Sequence, residues 1–92
     1  MIVRILGEGQ YDVPPVALDE LNVHDDAVQE AADAGDEGAF TAALASLLDT
    51  VRARGTALDA SALVPSELIL PAPDAPMAEV QAMLGDEGLI PG

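Results

Sequence analysis

Between Asp33 and Phe40 the chain reads Asp33-Ala34-Gly35-Asp36-Glu37-Gly38-Ala39-Phe40, and this octet sets the architecture. Gly35 suits the left-handed position just past a helix C-terminus. Asp36 follows at once and can accept hydrogen bonds from the orphan N–H groups that open the next helix. Downstream, Phe40, Ala43, Leu44, Leu47, Leu48 and Val51 recur at helical spacing, which predicts a second helix to about Arg54. Arg52 and Arg54 fall in its last turn, where the helix dipole favours cations, and Gly55 closes it. Upstream, Leu18, Leu21, Val28 and Ala31 or Ala32 form one stripe, predicting a first helix from about Pro15 to Ala34. Asp19 and Glu20 suit its first turn. His24 and Asp25 stand where the stripe should continue, so mid-helix is its weak point. A junction this short folds the two helices back into an antiparallel αα-hairpin.

Outside the hairpin the pattern changes. Ile2 to Leu6 reads as a short β-branched strand, Gly7-Glu8-Gly9 as a turn, and Gln10 to Val13 as a returning strand. Val3 and Ile5 share one face and Ile2, Arg4 and Leu6 the other, which suggests a strand covered on both sides with Arg4 reaching out at an edge. Pro14-Pro15 stops the pairing and starts a helix. Past Gly55, Asp59-Ala60-Ser61-Ala62 suggests one capped turn, and four prolines from Pro65 to Pro76 mark a wrapped, extended connection. Within it Glu67-Leu68-Ile69-Leu70 is a strand candidate that could pair with Ile2–Leu6. Asp74 is placed to cap a third helix to about Leu84, with Met77, Val80, Met83 and Leu84 on one face and Gly85 ending it. The expectation is a single domain over residues 1–92, α+β and mostly helical: an αα-hairpin, a third short helix and a small N-terminal sheet.

Composition narrows the function. The 92 residues carry 17 acidic side chains against three Arg and no Lys, a net charge of −14. Nucleic-acid binding relies on cations that displace condensed counterions, so three Arg among 17 carboxylates exclude it. An anionic leaflet attracts polybasic segments and repels this surface, so no direct membrane binding is expected. Mimicry of DNA is a rarer use of acidity than a solvated face. No run approaches a membrane span, and the Met1-Ile2-Val3-Arg4 start lacks signal-peptide regions, so the expected address is the cytoplasm. Without cysteine there is no disulfide, thiolate metal site or thiol nucleophile.

Motifs of chemistry are sparse. His24 with Asp25 and Asp26 could serve acid–base work in a cleft, but adjacent helical residues point apart, and an ordinary boundary histidine is commoner. Asp33, Asp36 and Glu37 lack the alternating ligands of a calcium loop, with Phe40 and Ala42-Ala43 where such a loop needs other residues. Gly7-Glu8-Gly9 lacks the remaining elements of a phosphate loop, and a turn explains it. Ser46, Ser61 and Ser66 lack the Asp-Ser-Leu setting of an acyl carrier protein. No cofactor, metal site or catalytic residue is expected.

Three segments, Gly7-Glu8-Gly9-Gln10-Tyr11, Leu63-Val64-Pro65-Ser66-Glu67 and Leu84-Gly85-Asp86-Glu87-Gly88-Leu89-Ile90-Pro91, together resemble PspAA. That family is the small protein associated with phage shock protein A in envelope-stress systems. The resemblance spans nearly the whole chain and implies a non-enzymatic accessory role, exerted by binding phage shock protein A, a coiled-coil membrane-stress effector. Acidity suits docking on a basic partner helix, with a small hydrophobic anchor for affinity. Tyr11, Leu89 and Ile90 are the candidate anchors, although completing the core is the commoner role for such residues. Two other readings stand beside it: a small carrier or enzyme using the His24/Asp25/Asp26 cleft, and a homo-oligomer formed through the Leu89-Ile90 tail or an uncovered helix stripe.

Overall fold

A computed structural model describes residues 1–59 and 64–83. Its elements run β1 (Ile2–Ile5), β2 (Gly9–Asp12), α1 (Leu18–Ala34), α2 (Glu37–Arg54), β3 (Thr56–Ala57), β4 (Leu68–Leu70) and α3 (Met77–Met83). The α+β, mostly helical expectation holds.

The junction behaves as its residues dictate. Gly35 takes a left-handed conformation at φ 69°, and its N–H reaches the carbonyls of Ala31 and Ala32. The Asp36 N–H also bonds the Ala31 carbonyl at 3.0 Å, tying off the end of α1. The Asp36 carboxylate then accepts the Ala39 N–H at 3.0 Å and opens α2. The hairpin is clamped at its far end by Arg54 Nε, which donates to Glu20 at 2.9 Å. α1 begins later than expected, because Pro15–Ala17 form a tighter 3-10 turn and regular helix starts at Leu18. It then continues through His24 and Asp25 without a break.

The sheet is mixed, in the order β3-β2-β1-β4. β1 and β2 form an antiparallel hairpin with Val3 opposite Tyr11. β4 returns after the helices to lie parallel to β1, with Arg4 opposite Ile69. The expected pairing of Glu67–Leu70 with the first strand is therefore present. β1 is a central strand rather than an edge: Val3 and Ile5 are fully buried against the helices, and Arg4 is exposed on the opposite face. β3, which pairs with β2, is not foreshadowed by any strand pattern in its residues.

One core joins the layers. Val3, Ile5, Leu68 and Leu70 of the sheet meet Leu21 and Val28 of α1, Phe40, Leu44, Leu47, Leu48 and Val51 of α2, and Val80 of α3. Asp25 occupies the gap in the α1 stripe and is 2% exposed. The third helix starts at Met77, so Asp74 stands too far upstream to cap it. Its Gln81 side chain donates to the Ala32 carbonyl at 2.8 Å and fastens it to α1. The expected turn at residues 60–62, Leu84, Gly85 and the Leu89-Ile90 tail lie outside the described residues.

Gly55 ends α2 as expected, without the left-handed conformation that Gly35 adopts. Its backbone is extended at φ −92°, ψ 164°. Space is the reason for glycine here: a Cβ would lie 2.7 Å from the Val51 carbonyl oxygen and 3.1 Å from side-chain carbons of Tyr11 and Val13. The end of α2 thus passes directly against β2.

Candidate functional site

Two polar constellations grow from the β1–β2 hairpin. At its tip, Gly7 (φ 80°) and Gly9 (φ 143°) turn the chain around Glu8. Arg52, near the end of α2, grips that carboxylate with both arms: Nε donates to Oε2 at 2.8 Å and Nη2 to Oε1 at 2.6 Å. The Tyr11 hydroxyl donates to the same Oε2 at 2.7 Å. The remaining Arg52 nitrogen, Nη1, donates to Asp49 at 2.7 Å. Both principal side chains are about 30% exposed, Arg52 at 32% and Glu8 at 29%.

This geometry sets the electrostatics. The Arg52 hydrogen bonds, then that of Tyr11, hold the Glu8 carboxyl down at about 2. The Tyr11 hydroxyl is pushed above its ordinary value, because its proton is shared with a carboxylate. Arg52 is held still more firmly in its charged form. A carboxylate so stabilised is a weak base, and a phenol so held is a poor acid near neutrality. The cluster acts as a latch between the hairpin tip and the end of α2.

The second constellation lies on the opposite face of the sheet. Gln10 is only 9% exposed, and its amide donates to the Val64 carbonyl at 3.0 Å and to Ser66 Oγ at 2.8 Å. Arg4 Nε donates to the same Ser66 Oγ at 3.2 Å. Main-chain bonds flank this node, from Glu67 N–H to the Ile2 carbonyl and from Leu58 N–H to the Gln10 carbonyl, each 2.9 Å. The segments around Gly7–Tyr11 and Val64–Glu67, 50 or more positions apart, thus meet on one sheet. Sequence reasoning missed Gln10 as the organiser, because its strand, Gly9-Gln10-Tyr11-Asp12, has no apolar alternation to mark which side chain turns inward.

Tyr11 itself is half-buried against the core beside the end of α2. Leu89 and Ile90 lie outside the described residues. His24, Asp25 and Asp26 do not converge: Asp25 turns into the core face, Asp26 is exposed and His24 is intermediate. Among the described residues no group of three or more His, Asp or Glu is arranged to hold a metal ion. Nor is any described helix long and apolar enough to cross a membrane.

Elsewhere the αα-hairpin carries a shallow groove of about 350 Å³ near its turn. Ala27, Ala31 and Ala34 of α1 and Ala39 and Ala43 of α2 form its floor, with Glu30 and Asp36 at its rim.

The family model described as PspA-associated protein, PspAA, matches residues 1–92, the whole chain. No curated protein and no solved structure matches it.

Proposed function

This chain belongs to the PspA-associated protein family, and from that premise we propose that it is a non-catalytic adaptor that binds phage shock protein A and modulates its membrane-stress response. The observation carrying this reading is the match over every residue of the chain to a family whose name states an association with PspA. A net charge of −14 supports a protein partner over a lipid or nucleic-acid one. In this reading the protein works in the cytoplasm and reaches the inner face of the membrane only through its partner. Tyr11, Leu89 and Ile90 are the anchors we propose for the contact.

Co-purification tests the reading. Phage shock protein A and this protein, co-expressed and passed over a sizing column at moderate salt, should elute together. Separate elution at every salt concentration, with and without lipid, would remove the adaptor role.

A further inference from the structure

The geometry points to the alanine-floored groove between α1 and α2 as the seat of a basic amphipathic helix of the partner, an inference that rests on the adaptor reading. Five alanines make the floor shallow and apolar, so a bulky aliphatic side chain of an incoming helix can settle between α1 and α2. The approach is lined with carboxylates on the outer stripe of α1. Asp19, Val23, Asp26, Glu30 and Asp33 follow at spacings of four and three, and all are exposed. Val23, 66% exposed, adds an aliphatic contact on that stripe.

Charge selects the occupant. The chain has only three cations besides its N-terminus, and all are arginines committed elsewhere: Arg4 to Ser66, Arg52 to Glu8 and Asp49, and Arg54 to Glu20. Lysine is absent from the whole sequence, so no side chain of this protein can neutralise the rim by another route. A second copy, itself at −14, would bring like charge to like. Phospholipid meets the same repulsion. Lys or Arg at positions three and four from an aliphatic residue on a partner helix would place cations over Glu30 and its neighbours while that residue fills the floor.

Binding of purified full-length phage shock protein A, measured by calorimetry, tests the seat with three variants whose folding is checked by circular dichroism. Ala27→Trp fills the groove from an exposed helical position, and Glu30→Lys reverses its rim; each should weaken binding at least about tenfold. Glu79→Lys, the same charge change on α3, should stay within about twofold. If wild type binds and both groove variants match it, the groove is the wrong surface and the adaptor role survives. If wild type does not bind, the adaptor role fails, and a synthetic Leu/Lys amphipathic helix titrated into the labelled protein decides the groove. Amide shifts confined to the facing surfaces of α1 and α2 uphold it. Shifts spread over the whole acidic exterior, or shifts that track the protein's own concentration, overturn it.

Discussion

Glu8 shows how one carboxylate can be turned from solvation to structure. In the folded chain its pKa falls from 4.5 to about 2 under the Arg52 and Tyr11 hydrogen bonds. A group whose folded pKa is depressed contributes stability in full above pH 4.5 and loses it as the pH falls through about 2. Because both partners are partly open to solvent, the contribution is about 1 kcal/mol. Glu8→Gln keeps the volume and removes the charge, so its stability should fall less between neutral pH and about pH 3 than that of wild type, by about half of that amount, the rest being lost only as the pH falls on through about 2. Urea midpoints at the two pH values measure the difference; equal losses would show that the latch carries no net energy. Gln10 poses a sharper demand, because its amide donates twice from a nearly closed site. Gln10→Glu has the same shape but cannot donate to the Val64 carbonyl, and it buries a charge. We expect a loss of about 2 to 3 kcal/mol in urea unfolding, with no change in helix content short of unfolding.

At the level of elements, what could be read from the residues depended on range. The αα-hairpin was legible because its signals are local: Gly35, the Asp36 cap and the apolar stripes each act within a turn or two. The sheet was legible in part. The β1–β2 turn announces itself through Gly7 and Gly9, and β4 through its apolar run, but β3 is two residues long and exists only because β2 offers an edge. Asp74 misled for the complementary reason: a capping residue is permissive, and Pro76 starts the observed turn, its carbonyl accepting from Glu79 and Val80. The Glu8–Arg52 and Gln10–Ser66 contacts span 44 and 56 residues and leave no periodic trace. Gly55 separates two meanings of a glycine after a helix. Gly55→Ala puts a methyl carbon 2.7 Å from a backbone oxygen without forcing a left-handed residue. It should therefore destabilise by overpacking, by about 1 to 3 kcal/mol. Asp36→Ala, which only loses a cap, should cost about 1 kcal/mol. Thermal melts of the helical signal rank the two, and an Asp36 variant less stable than the Gly55 variant would refute the crowding account.

For the whole molecule, 17 carboxylates against three arginines make the folded state a compact body of repelling charge. Ion pairs of Arg52 with Glu8 and Asp49, of Arg54 with Glu20 and of the N-terminal ammonium with Asp12 oppose that repulsion. Salt weakens attraction and repulsion alike, so the sign of its effect shows which dominates. Surface pairs contribute at most about 1 kcal/mol each. The uncompensated acids along α1 repel one another over distances that the screening length crosses as salt rises, from about 30 Å at 0.01 M to about 8 Å at 0.15 M. Repulsive pairs far outnumber attractive ones, so sodium chloride over this range should raise the urea midpoint. Association with a cationic partner must respond in the opposite sense, because the same carboxylates then attract. A protein that grows more stable while its complex with phage shock protein A grows weaker, over one salt series, is the signature of an acidic surface kept for docking at some cost to folding. If stability fell with added salt instead, the ion pairs would outweigh the repulsion, and the acidity would need no partner to explain its retention.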